Sequence, residues 1–379
     1  MPHAAGPHNP TQTGHNIVRC HARRLIHKNH TRGIEDATHA DHHRWSKVAG
    51  VTIWYGLDRV PEHLGRNGTV VTIGVFDGVH RGHQELVTRA VARARELDVP
   101  SVMFTFDPHP TFIFRPSSVP KLLGTVEQRA QLAHDMGIDH VVVIGFTPEI
   151  ASWSPAEYVD RVLIELLNAK SVIIGQNFTF GHKASGTSES MRELGEARGI
   201  DVDVVTLLEE DEHVICSTWI RDALAEGKVA EAMTALGRPF AVQGEVTHGA
   251  GRGGRALGFP TANLYFQDIY ALPADGVYAG FVTVVDSGQD GEKVGTMPVG
   301  QRLPAAISVG TNPTFGHEPR SVESFILDHE ADLYGKDVRV EFIEHLRGME
   351  TYESLDELIR AITNDVAQTR RAVLKFQGL

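Results

Sequence analysis

The stretch Val70-Val71-Thr72-Ile73-Gly74-Val75-Phe76-Asp77-Gly78-Val79-His80-Arg81-Gly82-His83 decides the fold. An apolar run, Val70–Val75, ends in a glycine-rich turn that carries two histidines three residues apart. Leu86, Val87, Ala90, Val91, Ala94 and Leu97 then recur at helical spacing, so His80 and His83 should stand at the start of a helix. Backbone N–H groups and the positive end of the macrodipole converge there, and the place suits phosphate. Gly78 and Gly82 have no side chain and should let a nucleotide approach the backbone. Two imidazoles beside a polyphosphate can donate hydrogen bonds to charge growing on a transferred phosphoryl group. The turn therefore reads as a site of ATP-dependent nucleotidyl transfer. In a chain with 21 histidines, about one pair at any fixed spacing arises by chance, so the specificity lies in the strand–turn–helix context. The plainer alternative is a capping turn with two solvated histidines.

Outward from this turn, apolar runs alternate with amphipathic segments from Val51 to Leu236. Strands are expected at Val70–Val75, Ser101–Phe106, His140–Ile144, Ser171–Ile174 and Val202–Leu207. Helices are expected at His83–Leu97, Val126–Met136, Pro155–Leu167, Ser188–Arg198 and Thr218–Glu226. The alternation predicts an α/β fold with a doubly wound parallel sheet and ligands at the carboxyl ends of its strands. Beyond Gly237-Arg238-Pro239-Phe240 the texture changes to short β-rich runs: Phe240–Val246, Val277–Val285, Ala305–Val309, Val322–Leu327 and Val338–Leu346. Ser287–Gly291 reads as a hairpin tip. This spacing predicts a small antiparallel β-barrel. A C-terminal helix follows, with a capping-box pattern at Ser354 and Glu357 and an apolar stripe of Leu355, Leu358, Ile359, Ile362 and Val366. The division expected is residues 1–50, 51–236 and 237–379.

The first fifty residues differ from the rest. They hold nine of the 21 histidines, few aliphatic residues and no periodicity. Such a tract could bind metal, but a tail without fixed structure or an upstream start codon is the preferred reading. The remaining composition, 41% hydrophobic and 22% charged, is that of a globular protein. A net charge of −12 argues against a nucleic-acid or anionic-membrane partner, while a few local donors can still hold a small anion. No apolar run is long enough to span a bilayer. Cys20 and Cys216 are too few for a disulfide framework or thiolate zinc site, and a cytoplasmic location fits. Self-association into a homo-oligomer stays open.

Three further segments follow expected strands. Phe106-Asp107-Pro108-His109-Pro110 is a proline-stiffened loop presenting Asp107 and His109. Gly175-Gln176-Asn177-Phe178-Thr179-Phe180-Gly181 offers an amide among aromatics, with Phe180 suited to stacking or to plain packing. Cys216-Ser217-Thr218-Trp219-Ile220-Arg221 places two hydroxyls at a helix start and Arg221 one turn in. That set can grip a phosphate bidentately, or be an ordinary helix cap. In the second half, Gly249–Gly254 matches G-x-G-x-x-G, yet no helix pattern follows, so it reads as a glycine-rich flap. There is no Walker A sequence. In the extended segment Phe259-Pro260-Thr261-Ala262-Asn263, residues two apart face one side, so Thr261 and Asn263 can offer two oxygens to Mg²⁺ or form a metal-free turn. Glu323 stands as a charged group in an apolar β-run.

The segments VFDGVHRGH (75–83), FDPHP (106–110), GQNFTFG (175–181) and CSTWIR (216–221), in this order, resemble the adenylyltransferase half of bacterial bifunctional riboflavin kinase/FMN adenylyltransferases. LGFPTAN (257–263) and SVGTNPTF (308–315) resemble the kinase half. The similarity runs from about Val51 to the C-terminus; Cys216 departs from it, standing where a serine is common. The resemblance implies a Rossmann-like nucleotidyltransferase domain joined to a riboflavin kinase barrel. ATP would be the co-substrate, Mg²⁺ the metal, and riboflavin, FMN and FAD the flavins. His80 and His83 would contact the ATP phosphates, with Asn177, Ser217, Thr218 and Arg221 holding reacting or leaving groups. Phe114, Tyr158 and Phe180 would line the isoalloxazine pocket. Gly74, Phe76, Asp77, Gly78, Gly82, Asp107 and His109 would complete ligand binding in the first domain, and Gly258, Pro260 and Asn312 in the second, although no chemical role follows for Asn312. Glu323 would be the base that takes the ribityl 5′-hydroxyl proton, with Thr261 and Asn263 on the metal. The alternatives are a chain with one live site, a flavin or nucleotide carrier without turnover, and an unrelated nucleotidyltransferase. The last leaves the second motif set unexplained.

Overall fold

The computed structural model describes residues 52–62, 64, 66–114, 116–211, 213–247, 259–285, 293–294, 297–311 and 320–378. The histidine-rich extension, the glycine-rich flap, the Ser287–Gly291 tip, Gly258 and Asn312 lie outside the described residues. Val51–Leu379 pack as one compact unit. No helix among the described residues is long and apolar enough to cross a membrane.

The first sheet has six parallel strands: β1 (Thr52–Tyr55), β2 (Thr69–Ile73), β3 (Ser101–Phe106), β4 (His140–Ile144), β5 (Ala169–Gly175) and β6 (Asp201–Val205). Their order is β1-β4-β3-β2-β5-β6. Alternation with a period of two sends Val70, Met103, Val141 and Ile173 to one face. Helices α1 (Arg81–Leu97) and α2 (Val126–Asp135) cover that face. Val71, Val102, Val142 and Val172 go to the other, under Val159–Leu167 and Met191. Both faces are buried, which is why the strands read as unbroken apolar runs. The sheet is doubly wound, as expected. Its order reverses between β2 and β5, so the crevice beyond their carboxyl ends is where a ligand belongs.

Two sequence expectations shift. Pro155–Leu167 is one helical segment, but after Pro155–Tyr158 it continues as a π-helix, Val159–Leu166. The helix Val229–Leu236, only eight residues long and set off by Glu226-Gly227-Lys228 before it and Gly237 after it, is not among the expected helices. It forms α4, after α3 (Ser217–Ala225).

The second sheet is antiparallel: β7 (Phe240–Glu245), β8 (Ala262–Tyr265), β9 (Gly276–Val284), β10 (Leu303–Gly310), β11 (Ser321–Ile326) and β12 (Asp337–Arg347), in the order β7-β12-β9-β10-β11-β8. A bridge between Thr247 and Asn263, with Thr247 N–H donating to Asn263 O at 3.0 Å, nearly closes it into a barrel. At the bulge beside Gly280, a Cβ would lie 1.9 Å from the Glu341 carbonyl oxygen, so only glycine permits β12 to approach β9 there. The barrel's core is shared. Ile220, Leu224, Val229 and Leu236 of α3 and α4 pack in one cluster with Phe240, Val242, Tyr278, Val340 and Phe342.

The C-terminal helix α5 (Leu355–Phe376) is present; Leu358, Ile359, Ile362 and Val366 of the expected stripe are half-buried, and the fully buried positions lie further along. Leu355 is 56% exposed, whereas Asp365, Thr369, Ala372 and Val373 are buried. Arg347 of β12 makes the buried Asp365 tolerable by donating to both its oxygens at 2.9 and 2.7 Å. Ser354 caps the helix, while Glu357 reaches back to Glu353 N–H rather than completing the box.

Candidate active sites

The turn after β2 is built against backbone preference. Phe76, Gly78 and Val79 have φ of 53°, 79° and 39°. A left-handed, β-branched valine is an outlier whose cost, roughly 1–3 kcal/mol, must be met by the surroundings. Those surroundings are visible. Asp77, 2% exposed, accepts from Leu123 N–H at 2.9 Å and forms a short ion pair with Arg221. Arg129 donates to Val75 O at 2.6 Å. Gln84 donates to Val79 O at 2.9 Å. Gly78 is glycine for the chain's own sake: besides its φ, an added Cβ would meet Leu123 Cδ1 at 2.7 Å. Added Cβ atoms at Gly74 and Gly82 would meet the rings of Phe76 and His80 at 3.3 Å. Close packing of this turn is thus one demand for glycine, firmest at Gly78.

His80 caps α1, its Nδ1 accepting from His83 N–H at 3.3 Å, which leaves Nε2 to carry the proton. The two imidazoles stack with centroids 3.6 Å apart, and Phe76, itself fully buried, backs His83 at 5.1 Å. Burial, with help from Arg238 and Arg221, pushes His80 down to about 4. Burial, His80 and Arg129 push His83 well below the usual imidazole range. Both rings are neutral at neutral pH, so each offers one N–H rather than a cation. The His83 Nδ1 is buried with no partner among the described residues.

A cavity of about 400 Å³ opens beside this turn, lined by Val75, Asp77, His83, His109, Thr111, Ser118, Pro120, Ser217, Thr218 and Arg221. His109 follows β3, accepts from Thr111 N–H at 3.1 Å, and is kept neutral mainly by burial. Ser217 donates to Asp77 O at 2.9 Å, so its hydroxyl ties α3 to the turn; the capping position itself is Cys216. Arg221 uses Nε on Lys121 O at 2.6 Å and Nη2 on Asp77. One terminal amino group, not a full fork, is left for a ligand. Nearby Arg129 and Arg238 donate only to backbone carbonyls or to Thr105, without a carboxylate partner among the described residues. Three cations against one buried carboxylate give a local field suited to phosphate in a chain of net charge −12.

Not every expected residue meets this cavity. Asn177 is exposed beyond β5, at the switch point, outside the lining. Asp107 lies on the loop after β3 with its N–H on Ile144 O at 3.0 Å. Tyr158 and Phe180, centroids 5.6 Å apart, belong to the core at 4% and 7% exposure. Phe114 is 51% exposed and joins them through a row of rings, Phe146, Phe106 and Phe104. Burial raises the Tyr158 hydroxyl pKa, and that hydroxyl is buried without a partner among the described residues. Thr111, Ser118 and Pro120 carried no sequence signal, being ordinary loop residues. Arg129, within the expected helix Val126–Met136, carried none either.

In the barrel, register does the positioning. Asn263 on β8 is paired with Glu323 on β11, which is paired with Ser308 on β10, so the three stand level across the sheet. Asn263, buried, directs Nδ2 to Thr261 O at 3.1 Å and Oγ1 at 3.4 Å. Glu323 accepts from Ser321 Oγ at 3.1 Å. The Thr261 hydroxyl and the Asn263 side chain are thus adjacent, with the amide nitrogen rather than the amide oxygen turned to the hydroxyl; a hard cation that also binds phosphate would need the amide oxygen on that side. Among the described residues, no group of three His, Cys, Asp or Glu is placed to hold a metal. Pro260 precedes this strand and is exposed.

A cavity beyond the carboxyl ends of β2 and β3 of a doubly wound sheet and a polar row on a barrel, in one chain, suit a two-site transferase that handles phosphates. Residues 63–219 match the FAD synthetase family and residues 236–373 the riboflavin kinase family. The chain is 35% identical over 311 residues to a bifunctional riboflavin kinase/FMN adenylyltransferase of Pseudomonas fluorescens, covering 82% of this chain and 94% of that one. It is 31% identical to those of Escherichia coli K12 (86% and 96% covered) and Bacillus subtilis (82% and 95%). A crystal structure from Streptococcus pneumoniae, described as a macrolide-efflux protein, superposes with a TM-score of 0.72 at 31% identity, over 85% of this chain and 99% of that one. The chain belongs to the bifunctional riboflavin kinase/FMN adenylyltransferase family.

Proposed function

We propose that residues 51–236 transfer an adenylyl group from ATP to FMN and that residues 237–379 phosphorylate riboflavin, with residues 1–50 an extension outside both. The observation that carries the first assignment is the convergence of His83, His109, Ser217, Thr218 and Arg221 from separate segments on one cavity. An FMN phosphate oxygen attacks the α-phosphorus of ATP, the α–β bridge breaks, and pyrophosphate leaves. No protein nucleophile is needed; positioning and charge stabilisation suffice. His80 and His83 donate neutral N–H groups to the phosphates, and Ser217, Thr218 and Arg221 hold the departing end. Asn177 and the aromatics Phe114, Tyr158 and Phe180 serve the flavin side.

In the barrel, Glu323 takes the proton of the ribityl 5′-hydroxyl as that oxygen attacks the γ-phosphorus of ATP, and ADP leaves. Thr261 and Asn263 would hold Mg²⁺, which when bound neutralises the phosphates. The partners are small molecules, and the setting is the cytoplasm, as two widely separated cysteines suit a reducing compartment.

The test follows products over time from riboflavin, ATP and Mg²⁺. Wild type should give FMN and then FAD. His83→Ala should stop at FMN, with FAD formation down by about 10²–10³-fold, the usual worth of a donor to a reacting phosphate or oxyanion. Equal loss of both products in a folded variant would refute the separation of sites.

A further inference from the structure

Among the described residues, every side-chain bond that holds the strained turn 76–79 comes from within the α/β module except one set. Arg238 belongs to the Gly237-Arg238-Pro239-Phe240 segment, immediately before β7. Its Nη2 donates to Gly78 O at 2.7 Å, and its Nη1 donates to Val79 O at 3.0 Å and to Leu236 O at 3.2 Å. One rigid guanidinium thus spans two consecutive carbonyls of the turn and the last carbonyl of α4. Gln84 of α1 makes the matching pair, bonding Val79 O at 2.9 Å and Leu236 O at 2.8 Å. Next in sequence to Val79 is His80, whose ring caps α1 and stacks on His83.

We propose that Arg238 is a positioning residue for adenylyl transfer. Reaching from the start of the barrel module, it clamps the carbonyls of Gly78 and Val79 and so fixes where His80 and His83 present their N–H groups. The proposal rests on the reading of the His80/His83 turn as the adenylyl-transfer site. The physical case is that Val79, at a φ of 39°, is held in a conformation it would leave if unrestrained. Relaxing the peptides on either side of Gly78 would move the α1 cap and both rings together. The demand for this arginine is specific: it has no carboxylate partner among the described residues, and burial lowers its pKa to about 10. A buried cation kept on neutral carbonyls is costly unless the turn needs its fork. The clamp also makes the adenylylation site depend on a residue that falls within the riboflavin kinase match, 236–373.

The full chain carrying Arg238→Met is assayed for FAD from FMN and ATP, and for FMN from riboflavin and ATP. A displaced turn should lower kcat for FAD by about 10- to 100-fold, as a displacement near 1 Å does. KM for ATP and the riboflavin kinase rate should stay within about threefold. Should Arg238→Met unfold, Arg238→Lys decides: it keeps the charge but replaces two separated nitrogens in a rigid plane by one, so it holds the two carbonyls less firmly and should show the same split at about three- to tenfold. Wild-type kcat for FAD in the folded variants overturns the proposal, as does a parallel drop of both activities in Arg238→Lys. His83→Ala, measured alongside, separates the two readings. If it leaves FAD synthesis intact, the site assignment fails; if it abolishes FAD synthesis while the Arg238 variants behave as wild type, the clamp alone fails.

Discussion

In the α/β module, Arg221 reaches Asp77 across 144 residues of chain and Arg238 reaches Gly78 across 160. In the barrel, Asn263, Glu323 and Ser308 come level through strand pairing alone. The first site is a loop held in an unfavourable conformation by side chains from far away. The second is a row on a ladder whose geometry the backbone already dictates. A site held by long-range bonds should be sensitive to changes at residues that never touch substrate. A site mounted on register should respond mainly to loss of the reacting group itself.

The sharpest check of that contrast is Glu323→Gln, which preserves shape and strand pairing. FMN formation should fall by about 10²–10⁴-fold, the worth of a general base, while FAD formation from supplied FMN stays unchanged. Near-normal FMN turnover would show that the row lacks its base.

Acid should distinguish the regions next. His80 is 6% exposed and its pKa is lowered from 6.5 to about 4. As pH falls below about 6.5, the unfolded chain takes up this proton before the folded one. The associated stability is complete above that pH and drains away toward pH 4, by about 2 kcal/mol between pH 7.5 and pH 5. Urea midpoints across this range should show the loss in wild type and a smaller one in His80→Asn, which retains a cap acceptor. A slope unaffected by the substitution would assign the acid sensitivity elsewhere.

Asp77→Asn should lower FAD synthesis by about tenfold and leave FMN synthesis alone, since the amide can still accept from Leu123 N–H but no longer offsets Arg221. If kinase activity fell in step, the pair would be holding the whole unit and not one turn. The smallest effect belongs to Thr261→Ala. Half-maximal FMN formation should need roughly threefold more Mg²⁺, because phosphate oxygens and Asn263 would remain as ligands. An unchanged Mg²⁺ requirement would remove Thr261 from the metal.

Much of this was legible in the sequence because it is local. The run Ser101–Phe106, the turn Val75–His83 and the alternation along Val338–Leu346 announce themselves through a period of two or 3.6 and through glycine, as the observed strands and α1 bear out. Strand β8 was legible only as an extended segment, being four residues long and needing Glu323 opposite it to be recognised as part of a barrel. The apolar stripe of α5 was legible as far as Val366, but Asp365 looks solvated until Arg347 is beside it. Arg238 marked a change of texture and nothing more, since its role consists of carbonyls 159 and 160 residues away.

The sequence by itself determined that a glycine-rich turn with two histidines joins a strand to a helix in a doubly wound sheet, that a barrel follows, and which residue types could do chemistry in each. Only the tertiary structure decided that Asp77 pairs with Arg221 at the cavity, that both histidines are neutral, and that the turn's strain is restrained from the far side of α4. Local patterning is set by side-chain periodicity and backbone propensity, which neighbouring residues encode. Protonation, strain and pairing depend on which charges and carbonyls the fold brings within a few ångströms, and no window of sequence contains that distance.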